Sequence, residues 1–146
     1  MRPRRLPAIL GGLVLCATAA RAAEPAAPDM RGTWRVEAAA IVEGAGKHHP
    51  ADASPPAEGM RPRLRRFEAT LRVTGQEGTR FWGTLASAAY TEDFIATFTG
   101  EGARFVAVDS DGTYSGEVLA PGRARYCYQQ VDPGLRLAAC GTFTHE

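Results

Sequence analysis

The stretch "RYCYQQVDPGLRLAAC", residues 125–140, holds the pattern that decides the fold. Aromatic and apolar residues alternate with other residues on both sides of an Asp-Pro-Gly turn at 132–134, which is typical of a β-hairpin. If Pro-Gly forms the tip, counting outward along the two strands places Cys127 opposite Cys140. Opposed residues of an antiparallel pair lie within reach of a disulfide. The spacing therefore predicts a Cys127–Cys140 disulfide, on condition that no bulge shifts the register by one residue.

Other uses of these two cysteines are less well supported by the pattern. A zinc site needs about four ligands, and a thioredoxin-type site needs Cys-x-x-Cys spacing. The hairpin register instead sorts its residues into two faces, and we expect the aromatic face to point inward and the cysteines outward. The predicted inward face consists of Tyr126, Tyr128, Gln130, Leu137, Ala139, Gly141 and Phe143.

Period-two alternation extends over the rest of the chain from Gly32 onward. Short Gly-containing turns separate the segments, and no segment has helical periodicity with a cap at each end. The eight candidate strands are "GTWRVEAAAIVEG", "RFEATLRVT", "RFWGTLAS", "DFIATFT", "ARFVAVD", "TYSGEVL", "ARYCYQQ" and "LRLAACGTFT".

Eight consecutive hairpin-linked strands, each with one apolar face, favour closure into a barrel because closure also removes the sheet edges. We predict an all-β fold, an eight-stranded antiparallel up-and-down β-barrel, with a two-sheet β-sandwich as the alternative. A single domain would span residues 31–146. One connection is far longer than the others: a Gly-, Pro- and Ala-rich loop at 43–63, between the first two strands.

The N-terminus has the layout of a secretory signal peptide over residues 1–22. Three arginines precede an apolar run from Leu6 to Ala20, followed by a small-x-small cleavage site. Residues 23–30 would form a flexible leader. Cleavage removes Cys16 and four arginines but no acidic residue, which changes the formal charge from +1 to −3. We therefore expect a periplasmic or secreted protein with no membrane span and no nucleic-acid partner.

The chain resembles the calycin barrels, the lipocalins and avidin-like proteins, through Gly32-Thr33-Trp34 at the start of the first strand. "FWGTL" and "TYSGEVL" are similar to the Gly- and Tyr-bearing inner strands of the avidins. The resemblance implies that Trp34 packs across the closed end of a barrel. Only two tryptophans occur, and the first strand offers no Asn or Ser, so the biotin site is not matched.

A small barrel of this kind fills its lumen with side chains or keeps a cavity for a ligand. The residues expected to bind a ligand there are Trp34, Tyr114, Tyr126, Tyr128 and Phe143. The tyrosines would supply polar handles beside an apolar or aromatic ligand. Binding without catalysis and without a cofactor is the predicted function.

Two further groups have functional alternatives. His48 and His49 are weak candidates for metal ligands, and we predict no metal site; His145 would lie at the opposite end of the barrel. Acid pairs at 92–93 and 109/111 stand beside turns, and carboxylates there suit a glycosidase or calcium. No nucleophile motif is present, so an enzyme is the less favoured class.

The alternative from another class is a periplasmic protein-interaction or protease-inhibitor module. It would act through the 43–63 loop or through an exposed Trp82, with a filled barrel.

Overall fold

The computed structural model of the chain describes residues 27–44, 62–100 and 102–146. These residues form an antiparallel barrel without a helix. The strands are β1 (Gly32–Gly44), β2 (Arg63–Glu77), β3 (Arg80–Ala86), β4 (Thr91–Phe98), β5 (Arg104–Val108), β6 (Gly112–Ala120), β7 (Arg123–Asp132) and β8 (Leu135–His145). They pair in sequence order, and β1 also pairs with β8 to close the sheet. The predicted up-and-down barrel is confirmed, and the two-sheet alternative is wrong.

Alternation along each strand produces one apolar face, as the period-two pattern requires. In β4, Phe94, Ala96 and Phe98 are buried, whereas Ile95 between them is 65% exposed. The lumen thus receives every second side chain, and large residues from several strands meet there.

The last hairpin has the predicted register. Asp132 pairs with Leu135, and Cys127 pairs with Cys140, whose sulfur lies 2.07 Å from that of Cys127. Gly134 takes a positive φ of 85°, so the Pro-Gly tip has the residue order of a type II turn and needs no bulge. The cysteines point away from the lumen, as predicted from the hairpin.

The connection between β2 and β3 is a tight turn, and a bulge in β2 precedes it. β2 continues to Glu77, and the turn follows at Gly78, where φ is 59°. The register shifts between Val73 and Gly75, which marks a β-bulge. Gly75 allows the Trp82 indole to pack against the β2 backbone, because a Cβ at position 75 would collide with the indole.

One end of the barrel, here called the closed end, is covered by the start of β1 and the residues before it. Trp34 is 1% exposed, and its indole Nε1 donates to the Met30 carbonyl over 2.8 Å. The His145 ring meets the indole edge-on, with 4.8 Å between ring centroids. Met30 is fully buried, and its N–H donates to Gln76 Oε1 over 2.8 Å. The last residues of the predicted leader therefore pack against the barrel.

The opposite end, here called the mouth, carries the C-terminal end of β1 and the start of β2. The predicted loop 43–63 joins these strands, and residues 45–61 of it, including His48 and His49, lie outside the described residues. The turns between β3 and β4, β5 and β6, and β7 and β8 also lie at the mouth. His145 is at the closed end, as the strand order predicted.

Candidate functional site

A cavity of about 270 Å³ occupies the lumen and extends to the mouth. Its walls take side chains from all eight strands, and most of them are apolar. The lining includes Val36, Ala40, Val42, Phe67, Leu71, Phe81, Leu85, Phe94, Phe105, Ala107, Leu135, Leu137, Ala139 and Phe143. A cavity of about 150 Å³ with such walls holds a benzene molecule, so this one has room for a one- or two-ring compound.

Stacked aromatic rings form one wall of the cavity. Tyr126 of β7 stacks on Phe143 of β8, with 4.2 Å between centroids and 11° between planes. Phe143 in turn lies nearly parallel to Phe105, at 6.2 Å. Higher on the same wall, the Tyr114 and Tyr128 rings are 4.5 Å apart. A flat aromatic ligand can therefore stack or meet ring edges along this wall.

Two glycines of β6 leave space for these rings. A Cβ at Gly116 would collide with the Phe105 ring, and one at Gly112 would come within 2.5 Å of the Tyr128 hydroxyl. β6 thus has a glycine two residues before and two residues after Tyr114, and these glycines leave room for the tips of the Tyr128 and Phe105 rings.

Asp109, in the turn before β6, organises the polar part of the mouth. Its Oδ1 accepts hydrogen bonds from the N–H groups of Asp111 (3.0 Å) and Gly112 (2.6 Å). Its Oδ2 accepts one from the Tyr114 hydroxyl over 2.6 Å. Burial, followed by this bond, raises the pKa of Tyr114 well above its usual range, so the hydroxyl remains a donor at neutral pH.

Glu92 of β4 is a half-buried carboxyl that lines the cavity near this turn. Burial raises the pKa of Glu92 to about 7, and the negative charges of Asp109 and Asp111 contribute. The hydroxyl of Ser110 lies 3.4 Å from Glu92 Oε2 and favours the charged form. Near neutral pH, Glu92 therefore exists in both protonation states.

Tyr126 presents an unpaired hydroxyl to the cavity. The residue is only 5% exposed and lines the cavity, yet its hydroxyl has no hydrogen-bond partner among residues 27–44, 62–100 and 102–146. In that part of the chain every fully enclosed side-chain polar atom has a partner. The hydroxyl must therefore retain contact with the open space of the cavity, where a bound molecule can satisfy it.

Gln130, also on β7, is the buried polar residue nearest the mouth on this wall. It is 8% exposed, and its Nε2 donates to Asp132 Oδ2 over 2.8 Å. Its amide oxygen is then oriented away from that carboxylate and adds an acceptor to the lining.

Arginines of β2 complete the lining on the opposite side of the mouth. Arg65 and Arg66 are both exposed, and both contact the cavity. Their charges lie in solvent, where salt screens them, whereas the carboxyls across the mouth are partly buried.

The structure brings together four of the five predicted ligand-binding residues: Tyr114, Tyr126, Tyr128 and Phe143 line the cavity. Trp34 does not line it, because its ring is packed between Met30 and His145 at the closed end. The predicted inward face of the last hairpin is also found in the lining, except for Gly141. Glu92, Asp109 and Gln130 were not predicted as ligand-binding residues, although strand parity does place Glu92 and Gln130 inward.

No group of three or more His, Cys, Asp or Glu in the described ranges is arranged to hold a metal ion. None of the described segments contains a helix long and apolar enough to cross a membrane. Comparison of the chain with models of known protein families gave no match. Comparison with curated protein sequences gave no match either.

Proposed function

We propose that this protein binds a small apolar or aromatic ligand in the lumen of its barrel, without catalysing a reaction. The observation that carries the proposal is the aromatic-walled cavity of about 270 Å³ into which the unpaired Tyr126 hydroxyl faces. Ligand sites in proteins are typically apolar cavities with a few polar groups that fix orientation. The barrel architecture is consistent with a calycin-like protein, and we extend the proposal to that fold family.

Filling the cavity tests this function. Ala139 lines the lumen and is 8% exposed, so Ala139→Phe would place a ring in the ligand's space. Its neighbour Ala138 is exposed on the outer face of the same strand, and Ala138→Phe is the matched control. Propylbenzene, followed by ligand-detected NMR, is the probe.

We expect propylbenzene to bind the wild-type protein and A138F, and A139F to lose most of the affinity while retaining the barrel's circular dichroism. Equal binding by A139F and A138F would contradict a lumen site. Absence of binding by the wild-type protein would contradict the proposed function for ligands of this size.

We also infer that the protein is exported and that residues 1–22 are removed. The basic and apolar start of the chain supports this, and so does the cysteine pair at bonding distance, since disulfides persist in oxidising compartments. Intact-mass measurement of the periplasmic protein should give a chain beginning near residue 23 with no free thiol. A full-length chain with reduced cysteines would contradict export.

A second candidate function is contact with another protein. Trp82, Ile95 and Val108 pair across three neighbouring strands and form an exposed apolar row on the outer face. Rows of this kind often mark interaction sites. A photo-crosslinking residue at position 82 should then form an adduct in the producing cell, whereas one at the exposed position 144 should not. Equal labelling from both positions would contradict this candidate.

A further inference from the structure

The mouth of the cavity is asymmetric in charge. Glu92 of β4 and Asp111 of the turn between β5 and β6 line it on one side. Asp109 belongs to the same turn as Asp111 and lies beside them. Arg65 and Arg66 stand on β2, across the barrel from β6, and are exposed. Any ligand that occupies the lumen has its outer end close to these groups, so the mouth can select the charge that the ligand carries.

Asp109 has little capacity left for a ligand. It accepts three hydrogen bonds, from two backbone N–H groups and the Tyr114 hydroxyl. Through these hydrogen bonds Asp109 holds the turn and Tyr114 in place.

Glu92 has acceptor capacity to spare. Its side-chain partners are the Ser110 hydroxyl, at a long 3.4 Å, and the carboxyl of Asp109, which shares a hydrogen bond with the protonated form of Glu92. Glu92 points inward from β4, two residues before the buried Phe94, and it lines the cavity. Its carboxyl is thus the acidic group that a ligand in the cavity can contact directly.

We propose that the lumen takes an aromatic amine, with the ring against Tyr126 and Phe143 and the ammonium group at Glu92. The inference rests on the proposed lumen site and specifies the class of ligand. Independently, Tyr126 is only 5% exposed, and its hydroxyl, which has no partner among the described residues, faces the same cavity, where a bound molecule can form a hydrogen bond with it. A short alkyl chain between ring and nitrogen spans from this aromatic wall toward the mouth.

A cation is favoured over an anion for two reasons. A carboxylate on the ligand would face the acidic side chains of Glu92, Asp109 and Asp111, whereas an ammonium group would be attracted to them. The Tyr114 and Tyr128 rings, 4.5 Å apart, also present π-faces and edges close to the mouth, and cations bind well over aromatic faces. The exposed Arg65 and Arg66 oppose a cation more weakly, because solvent and salt screen them.

Binding of an ammonium ion would also change the protonation of Glu92. The groups that face this carboxyl are Asp109, Asp111, Ser110, Tyr114 and Tyr128, and Arg65 and Arg66 of β2 also line the mouth. Burial raises the pKa of Glu92 to about 7 with a contribution from the negative charges of Asp109 and Asp111, and a ligand cation compensates these charges. The proton that Glu92 carries would therefore pass to the buffer, and at pH 7 binding would release up to roughly half a proton.

Three ligands of matched ring and chain length test the inference: 2-phenylethylammonium, 3-phenylpropionate and propylbenzene. Isothermal titration at pH 7 in phosphate and in Tris measures affinity and proton release. We expect wild-type protein to bind 2-phenylethylammonium about tenfold or more tightly than 3-phenylpropionate, with proton release for the amine alone. Glu92→Gln should abolish the preference and the release.

Asp93→Asn is the matched control, because Asp93 is the neighbouring carboxyl and is exposed on the outer face. It should retain the amine preference. Propylbenzene binding without any preference for the amine would overturn this inference and leave the proposed function intact. Preference for 3-phenylpropionate would also overturn it, and would indicate that the mouth binds an anion through the arginines of β2. Failure of all three ligands to bind would overturn the proposed function itself.

Discussion

The hydroxyl of Tyr114 donates a 2.6 Å hydrogen bond to Asp109, a carboxylate already held by two backbone N–H groups. Tyr126, whose ring lies 6.1 Å from that of Tyr114, donates no such bond. The two tyrosines line the same cavity but differ in what their hydroxyls do for the fold.

Replacing each tyrosine with phenylalanine should separate these roles. Tyr114→Phe removes a hydrogen bond to a charged group and should lower the free energy of unfolding by about 1.5–3 kcal/mol. Tyr126→Phe removes a hydroxyl that has no protein partner and faces the open cavity, and it should change this free energy by less than about 0.5 kcal/mol. Urea unfolding measures both. Equal losses would contradict the assignment of the Tyr126 hydroxyl as unpaired.

Stability should fall as pH rises through the range in which Glu92 titrates. In the unfolded chain its carboxyl has its ordinary pKa of 4.5, whereas burial and neighbouring charges raise the folded pKa to about 7. The folded state therefore binds more protons between these values, and the free energy of unfolding decreases with increasing pH there and levels off above pH 7. Screening at this half-buried group limits the loss to about 1–2 kcal/mol.

Unfolding in urea at pH 5 and pH 8 checks this expectation, with Glu92→Gln as the variant that should remove the decrease. Asp29 does not interfere. Its hydrogen bonds to Arg31 lower its pKa to about 2, so it contributes stability above pH 3.8 that is lost only as pH falls toward 2. A rise in stability from pH 5 to pH 8 would contradict the protonated state of Glu92.

The two tryptophans should differ in their importance for stability. Trp34→Ala would empty a fully buried site at the closed end and leave the Met30 carbonyl without its donor, at a cost of about 3–5 kcal/mol. Trp82 is 43% exposed and covers Gly75 from outside, so Trp82→Ala should cost less than about 1 kcal/mol. Thermal unfolding of both variants provides the comparison, and a larger loss for Trp82→Ala would contradict the role of Trp34 at the closed end.

Removal of the cysteine pair should affect stability without affecting the lumen. Cys127 and Cys140 are 13 residues apart in sequence, and a cross-link over a loop of this length contributes about 3 kcal/mol in the chain-entropy account. The double variant Cys127→Ala/Cys140→Ala should lose that amount in urea unfolding and keep the wild-type affinity for propylbenzene. A loss of binding in the folded double variant would show that the pair also shapes the cavity.

Much of the fold could be predicted from local signals in the sequence. Period-two alternation and Gly-containing turns identify all eight strands, and the "DPG" turn fixes the pairing of Cys127 with Cys140. Parity within the strands also predicts that Tyr114, Tyr126 and Tyr128 face the lumen. These features depend on residues that are close together in the sequence, so they can be read from the sequence alone.

The polar mouth could not be predicted in the same way. Glu92, Asp109 and Tyr114 come from β4, a turn and β6, and their meeting depends on the stagger of strands around the barrel. Acidic residues beside turns are adequately explained by the turns themselves. Trp34 was wrongly expected to line the cavity for a different reason. Strand alternation does turn its side chain inward, but Trp34 lies at the closed end, and alternation does not indicate height along the barrel axis.

The disulfide on the outer face of the barrel also bears on which side chains face the lumen. Along β7, Cys127 stands between Tyr126 and Tyr128, which line the cavity. A strand that slips by one residue turns every side chain to the other face, and here it would expose the tyrosines and bring Gln129 inward. The covalent link between β7 and β8 excludes that slip. A bond on the outside of the barrel thereby secures the strand register that already places these chemical groups on the inside.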